Sequence, residues 1–206
     1  MALASYSDLV TTVTAFMNRT DAAAVIPSFI TLAEAEMNRK LRVRQMITRA
    51  HATIANEFET VPSNFCGEKT LTLDATPIIQ LDYCDPDKIM YEKSRRSTVS
   101  GIPEMYSIQG DDLQLFPAPG DNYTARIVYY ASIPGLTAVN TTNWLMTKYP
   151  DAYLYGALSQ AGMWLRGDPR TANFVNAFET ILGNIQDANI YEADAPRLEM
   201  PSRLSP

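Results

Sequence analysis

The sequence is poor in the residues on which most metal sites and disulfide scaffolds depend. His51 is its only histidine, and Cys66 and Cys84 are its only cysteines. A structural zinc site needs about four cysteine or histidine ligands, and a disulfide-stabilised fold is much denser in cysteine. Both classes are therefore excluded, and we expect two reduced thiols in a protein made in the cytoplasm.

Motifs for nucleotide binding and nucleophilic catalysis are missing as well. The sequence has no glycine-rich phosphate loop of either the dinucleotide or the P-loop spacing. A serine or cysteine nucleophile would have to recruit His51, which stands among alternating residues typical of a strand. The acid pairs Asp85/Asp87 and Asp111/Asp112 fall in predicted turns, where aspartate bonds to the local backbone. We therefore predict no enzyme, with no catalytic, cofactor-binding or metal-binding residue.

Long apolar runs and an excess of basic charge are also absent. No run approaches the roughly 18 apolar residues of a membrane helix, and the N-terminal MALASYSDLV lacks the regions of a signal peptide. The formal net charge is -6, which argues against a general nucleic-acid binder. We expect no contact with membranes.

The residues that are present suit an α+β protein with helical ends. The length of 206 residues suits one domain, or one domain with a sizeable insertion, and a hydrophobic fraction of 46% is typical of a globular chain. Ser5 or Ser7 can cap a first helix, and Pro27 can open a second one in residues 1–49. Helical spacing returns in residues 134–188, after Pro134.

Residues 50–133 predict an inserted antiparallel β subdomain. The short runs KTLTLD, PIIQLDYCD and DKIMYE are β-like, and SRRSTVSGIPEMY between DKIMYE and the next strand is a loop. Turn clusters near Gly110 and Gly120 bound two further runs. In these runs the alternation predicts a hairpin that sets Leu113 and Leu115 against Ile127 and Tyr129.

The C-terminal helical region contains residues typical of helix starts. Asn143 can cap one helix, Pro150 can open the next, and Asp168-Pro169 can begin the last. Residues 189–206 contain three prolines and no helical stripe, so we predict an extended C-terminal tail.

Aromatic residues are concentrated between residues 141 and 170. Their spacing predicts bundle core, with a fringe that packs between subunits because tyrosine can keep one polar end in water. The small residues Gly156 and Ala161 among them would let another helix approach closely. These aromatics are Trp144, Tyr149, Tyr153, Tyr155 and Trp164.

A basic cluster follows the second helix. One interpretation is a solvated helix end, where cations are favoured by the helix dipole. The other is a positive surface at a subunit interface or beside passing DNA. The cluster contains Arg39, Lys40, Arg42 and Arg44, with Arg49 a little further on.

Taken in order, several motifs resemble the head-to-tail adaptor proteins of tailed bacteriophages, also called connector or head-completion proteins. YSDLVTTVTAFMNRTD and IPSFITLAEAEMNRKLRVRQM are similar to the family's opening helices, and VPSNF to its entry into the β insertion. GIPEMYSIQGDDLQLFPAP with ARIVYYASIPGL resembles its strand order, and TNWLMTKYPDAYLYGAL its capped aromatic helix. The resemblance covers nearly the whole chain.

This resemblance implies a helical bundle with a β insertion and no catalysis or cofactor. It implies a homo-oligomeric ring, usually of twelve copies, in the neck of the virion between the portal and the tail. The partners would be the portal protein, tail, nozzle or tail-fibre proteins, and genomic DNA passing without sequence specificity. The protein would be in the host cytoplasm during assembly.

Within this picture we expect the C-terminal tail to become ordered on the portal or on a neighbouring subunit. Tyr191, Leu198 and Met200 would be apolar anchors, and Arg197 and Arg203 would pair with acids. A gatekeeper-type tail tubular protein of a short-tailed phage is the alternative within the structural class. A carbohydrate-binding or hydrolytic β module is the alternative outside it, since two carboxylates suffice for a glycosidase.

Overall fold

The structure is a computed structural model that describes residues 3–97, 100–162, 164 and 169–193. The chain divides into two compact units. The helical unit comprises Met1–Gln45 and Ile133–Pro206, and the β unit comprises Met46–Ser132. The mixture of helices and antiparallel sheets confirms the predicted α+β class.

The described residues contain six α-helices, of which only the third belongs to the β unit. Short 3₁₀ turns lie at Thr20–Ala22 and Arg44–Met46. The helices are α1 (Tyr6–Met17), α2 (Ile26–Lys40), α3 (Pro86–Arg95), α4 (Trp144–Lys148), α5 (Pro150–Ala161) and α6 (Thr171–Ala193).

Local signals in the sequence set several of these helix ends. The Ser5 hydroxyl accepts a hydrogen bond from the Asp8 N–H at 3.3 Å and caps α1. Asn18 ends α1 in the left-handed region, at φ 51°, which asparagine tolerates better than most residues. Asn143 Oδ1 accepts from the Met146 N–H at 2.8 Å and caps α4, and Pro150 opens α5. These predicted caps are confirmed.

The core of the helical unit is centred on α5, which packs against α1, α2, α4 and α6. Tyr153 and Leu158 are fully buried there. A Cβ atom added to Gly156 would lie 3.0 Å from the Phe178 ring and 3.1 Å from the Ala33 Cβ. Glycine at this position therefore permits the close approach of α2 and α6, which are helices of the same chain.

Helix α6 corrects the predicted start of the C-terminal tail. The helix continues to Ala193, so residues 189–193 are helical where an extended tail was expected. The physical reason is local, because no proline or glycine follows Gly183 until Pro196 and nothing breaks the hydrogen-bond ladder. Residues 194–206 lie outside the described residues, as does Asp168 of the predicted cap.

The β unit contains ten strands in its described part. They are β1 (Ile47–Ile54), β2 (Phe58–Thr60), β3 (Phe65–Leu73), β4 (Ile79–Gln80), β5 (Asp82–Tyr83), β6 (Ser100–Gly101), β7 (Met105–Gln109), β8 (Asp112–Phe116), β9 (Ala118–Pro119) and β10 (Tyr123–Ala131). The first sheet has the order β1-β10-β3-β4 and the second β2-β8-β7-β5. All pairs of three or more residues are antiparallel, whereas β5–β7 and β6–β9 are two-residue parallel pairs.

The predicted hairpin between the Leu113 and Ile127 strands is wrong. β8 instead turns back on β7 around Gly110, whose φ of 65° favours glycine, and β10 lies in the other sheet between β1 and β3. Leu113 and Leu115 still meet Ile127 and Tyr129, because the two sheets bury one shared apolar cluster between them. Alternation indicated which face is buried but could not choose the pairing partner.

The run DKIMYE, predicted as β-like, is also wrong, since it lies in α3. Asp85 has the extended backbone of a helix cap and Pro86 follows in the first turn. Ile89 is the buried residue of this helix and packs with Cys84 and Phe116. The cap-and-proline pair was the available signal, and six residues were too few for periodicity to reveal a helix.

Candidate functional site

The histidine and acidic side chains that could serve in catalysis or metal binding do not form one cluster among the described residues. His51 lies on β1 with an exposed side chain, and its Nδ1 is 3.7 Å from Asp74 Oδ2. Asp74 Oδ1 also forms an ion pair with Arg126 Nη2, at 2.9 Å. Among the described residues, no group of three or more histidine, cysteine, aspartate or glutamate side chains could hold a metal ion.

The two acid pairs singled out in the sequence occupy structural positions. Asp85 is the N-cap residue of α3 and Asp87 lies in its first turn, where a negative charge is favoured by the positive end of the helix dipole. Asp111 and Asp112 follow the turn at Gly110, and Asp112 pairs in β8 with Gln109 of β7. The structure brings these two pairs into no shared cluster with His51 within the described residues.

A buried polar network lies in the helical unit, and it was not predicted. Glu34 of α2 is only 7% exposed, and its Oε1 accepts from the Leu136 N–H at 2.7 Å and from the Tyr153 hydroxyl at 3.2 Å. Asn143 Nδ2 donates to the same hydroxyl at 2.6 Å and to the Pro134 carbonyl at 2.7 Å. The network ties the segment after Ile133 to α2 and α5.

Electrostatics suit a structural role for this network. Burial raises the pKa of the Glu34 carboxyl, and the hydrogen bonds from Leu136 and Tyr153 partly offset that effect. Burial also raises the pKa of the Tyr153 hydroxyl, so it stays protonated and donates. A glutamate at an otherwise apolar helical position (Ile30, Ala33, Met37) was the sequence signal that could have revealed it.

The predicted aromatic residues divide into a core member and a fringe. Tyr153 is fully buried, whereas Trp144, Tyr149, Tyr155 and Trp164 are half-buried. The Arg19 guanidinium lies 4.5 Å from the centre of the Trp164 ring, an arrangement of the cation–π type. Whether this fringe contacts another subunit stays a prediction.

The basic cluster has partners inside the helical unit. Lys40 Nζ donates to Glu36 at 2.8 Å and to Glu179 of α6, and the pKa of Lys40 is raised chiefly by the hydrogen bond to Glu179. Arg42 donates to the carbonyls of Asn38 and Leu41 at 2.7 and 2.6 Å, which satisfies the end of α2.

Arg44 and Arg39 of the basic cluster differ in their surroundings. The Arg44 N–H donates to Asn189 Oδ1 on α6 at 2.7 Å, and Arg39 is exposed. The cluster thus joins α2 to α6, and its contact with DNA or another subunit stays a prediction.

The predicted tail anchors fall almost wholly beyond the described chain. Arg197, Leu198, Met200 and Arg203 lie outside the described residues. Tyr191 is placed in the last turn of α6, and only its backbone is described.

An exposed face of α3 was missed in the sequence because this helix was taken for a strand. Met90 and Tyr91 are 68% and 56% exposed, and the Arg95 guanidinium lies 5.3 Å from the centre of the Tyr91 ring. Tyrosine, methionine and arginine are enriched at the centres of protein interfaces. This face is a candidate contact surface of the β unit.

The open edge of the first sheet was missed as well. β1 pairs with β10 on one side, and among the described residues no strand pairs with its other side. Beside it lies an apolar cavity of about 230 Å³ between β1 and the segment of residues 59–62. No sequence pattern could locate it, because it depends on which strands end their sheets.

Comparison with known families identifies a relationship over nearly the whole chain. Residues 4–200 match the model of the family described as SU10 adaptor protein. No curated protein matches the chain significantly. Among the described residues, no helix combines the length and the apolarity needed to cross a membrane.

Proposed function

This chain belongs to the SU10 adaptor protein family of phage head–tail adaptors, and from that premise we propose that its copies form a ring between the portal and the tail. As a family member it is a structural component of the virion that interacts with other head and tail proteins. The ring, its twelve copies, its place in the neck and its contact with the portal are the proposed part. The family match over residues 4–200 carries the proposal.

Exposed apolar side chains in both units support ring formation. A closed ring uses head-to-tail contacts, so one copy needs two different surfaces that complement each other. Large apolar residues at least one-third exposed occur in the helical unit at Phe16, Leu32, Val139, Val175 and Ile190, and in the β unit at Phe58, Ile78, Tyr83, Met90, Tyr91 and Ile102.

The distribution of charge supports a channel that conducts DNA without holding it. The β unit carries seven lysines and arginines against twelve acids, a net charge of −5, and the helical unit carries ten against eleven, a net charge of −1. Phosphate neutralisation by clustered cations drives nonspecific DNA binding. A ring of many such copies would repel the backbone rather than grip it.

The test is native mass spectrometry of the protein with and without the cognate portal. We expect a complex with a fixed number of copies on the portal ring, and electron microscopy should show them around a central channel. A protein that stays monomeric with the portal would overturn the proposal. Binding only after another adaptor is present would indicate a gatekeeper-type tail protein instead.

The basic cluster and the tail are tested separately. Replacing Arg39, Arg42 and Arg44 by glutamine should reduce assembly or genome retention, and virions that package and retain DNA normally would leave only a helix-end role. Deleting residues 194–206 should weaken docking to the portal or to a neighbouring copy, as measured by pull-down. This boundary keeps all of α6 intact.

A carbohydrate-binding module remains the second candidate because of one observation. Such a module needs exposed aromatic rings on its β part, and Phe58, Tyr83 and Tyr91 are each about half exposed in the β unit. Saturable binding of a glycan that is lost in Tyr83→Ala and Tyr91→Ala would favour it. In a ring adaptor the same substitutions should weaken subunit contacts and leave no glycan binding to lose.

A further inference from the structure

The first sheet ends on β1, a long strand that pairs with a neighbour on one side only among the described residues. β1 has eight residues, and Ile54 is its one buried side chain. In the described part of the chain, the backbone groups on its outer edge pair with no other strand. Proteins usually protect such an edge with proline, a bulge, charged side chains or a very short strand, because a free edge accepts another strand. Of these, β1 has one charged side chain, Arg49. β1 contains no proline and pairs with β10 without a register shift.

The core of the β unit is accessible beside this edge. The cavity of about 230 Å³ is bordered by Ala50 and Ala52 of β1, and Leu71, Leu113 and Ile127 line its apolar interior. The two alanines leave open the space that larger side chains would fill. The cavity is smaller than the roughly 300–1,000 Å³ of small-molecule sites. It suits aliphatic side chains delivered by a peptide better than a cofactor.

The opposite face of β1 carries polar and charged side chains. Arg49 and His51 alternate with the two alanines along β1, and Arg49 lines a separate depression with Arg126. His51 lies opposite Arg126 of β10, and Asp74 is the acidic neighbour of both. A strand added here would suit apolar residues on one face and charged residues on the other, where Arg49 and Asp74 offer both signs.

The C-terminal residues of the chain have this pattern. Leu198 and Met200 alternate with Arg197 and Glu199, so in an extended strand the two apolar side chains share one face and the two charged side chains, one of each sign, share the other. Pro196 and Pro201 bracket the run and limit the pairing segment to residues 197–200.

We propose that residues 197–200 of another copy add a strand to the free edge of β1, with Leu198 and Met200 in the cavity and Glu199 beside Arg49 and His51. Main-chain hydrogen bonds supply affinity in such strand addition, and pockets for alternate side chains supply specificity. The inference rests on the proposed ring, because a tail that reaches the next copy is a head-to-tail contact. It deepens that proposal by naming the receiving surface.

The experiment is a two-dimensional amide NMR titration with a synthetic peptide of residues 194–206. The receptor is the full chain carrying Leu198→Asp and Met200→Asp, whose own tail cannot compete. We expect saturable shifts concentrated in β1 and in Leu71, Leu113 and Ile127. A peptide with the same two substitutions should bind at least about tenfold more weakly. Ala52→Phe, which fills the cavity from β1, should weaken binding to a similar extent.

Three outcomes would overturn the inference. In the first, the peptide causes no saturable shifts. In the second, the shifts fall outside β1 and the cavity. Either result would leave the portal as the expected partner of the tail. The third outcome concerns the β1 amide shifts of the wild-type chain relative to the Leu198→Asp, Met200→Asp variant. If these shift differences do not change with protein concentration, each tail folds onto its own copy. Copy-to-copy docking instead requires these shifts to grow with concentration.

This test is independent of ring formation on the portal. If the peptide binds at β1 while no ring forms, the strand-addition site stands and the proposed ring fails. If a ring forms on the portal and the peptide does not bind, the ring stands and the strand-addition site fails.

Discussion

The two units bury their cores to different degrees. In the helical unit, α5 packs against α1, α2, α4 and α6. Tyr153, Leu158 and Phe178 are at most 1% exposed. In the β unit, the apolar cluster between the sheets opens at β1 into a cavity bordered by two alanines. The core of the helical unit is closed, whereas the core of the β unit leaves apolar side chains accessible beside β1. The predictions below test this difference.

The largest effect is expected from a truncation in the closed core. Phe178→Ala should lower the free energy of unfolding by about 3–5 kcal/mol, because neighbouring helices cannot collapse into the space. Urea unfolding followed by circular dichroism measures it. Val175→Ala, on the exposed side of the same helix, is the control and should change stability by less than about 0.5 kcal/mol. Equal losses in both variants would contradict a closed core.

Two glycine-to-alanine substitutions test how closely the helices pack in the helical unit. Gly156→Ala should destabilise by about 1–3 kcal/mol, because the new methyl would lie 3.0 Å from the Phe178 ring and 3.1 Å from the Ala33 Cβ. Gly183→Ala, on the open side of α6 with no atom within 4 Å, should stabilise by up to about 1 kcal/mol. Thermal unfolding of the two variants should move in opposite directions. The same sign for both would show that α2 and α6 do not constrain position 156.

A smaller effect with a defined pH dependence is expected from Glu34→Gln, which keeps an acceptor for Leu136 and Tyr153. Burial raises the native pKa of Glu34, so the native state binds the proton more tightly than the unfolded state. The contribution of Glu34 to wild-type stability therefore falls as pH rises from the ordinary value of 4.5 towards the raised one. The advantage of Glu34→Gln over the wild type should grow across that interval and then level off.

Unfolding free energies measured at several pH values check this prediction. Glu36→Gln, which removes the ion pair with Lys40 on the same helix, is the control for loss of a carboxylate at a more exposed position. An advantage of Glu34→Gln that shrinks with rising pH would show that the carboxylate is stabilised where it lies.

The smallest effect on stability is expected in the open core. Ala52→Leu should change the free energy of unfolding by less than about 0.5 kcal/mol, because the side chain enters an existing cavity. The same substitution at fully buried Ala157 of α5 should cost about 1–3 kcal/mol or more. Comparable losses at both positions would mean that the β core is closed in solution.

Sequence reasoning worked where a signal acts over a few residues. Ser5, Asn143 and Pro150 begin their helices as predicted because capping and proline geometry depend on adjacent backbone groups. It failed at α3, where six residues were interpreted as a strand. It also misplaced the end of α6 by five residues, because composition was weighed above the absence of a breaker before Pro196.

Pairing between distant strands was beyond the same reasoning. Leu113 and Ile127 were correctly expected to be buried near each other, yet they belong to different sheets. A hydrophobic period identifies the buried face of a strand, but not its neighbour across the sheet. The cavity beside β1 and the network around Glu34 depend on such long-range neighbours and could not be predicted.

By itself, the sequence determined the α+β class, most helix starts and, through its ordered motifs, the adaptor family. These follow from interactions between residues close along the chain, or from the order of motifs, and both are visible in one dimension. Only the tertiary structure decided which strand ends the first sheet, where a glutamate is buried, and where the core stays open. Those features arise from contacts between residues far apart in the chain, whose partners no local pattern specifies.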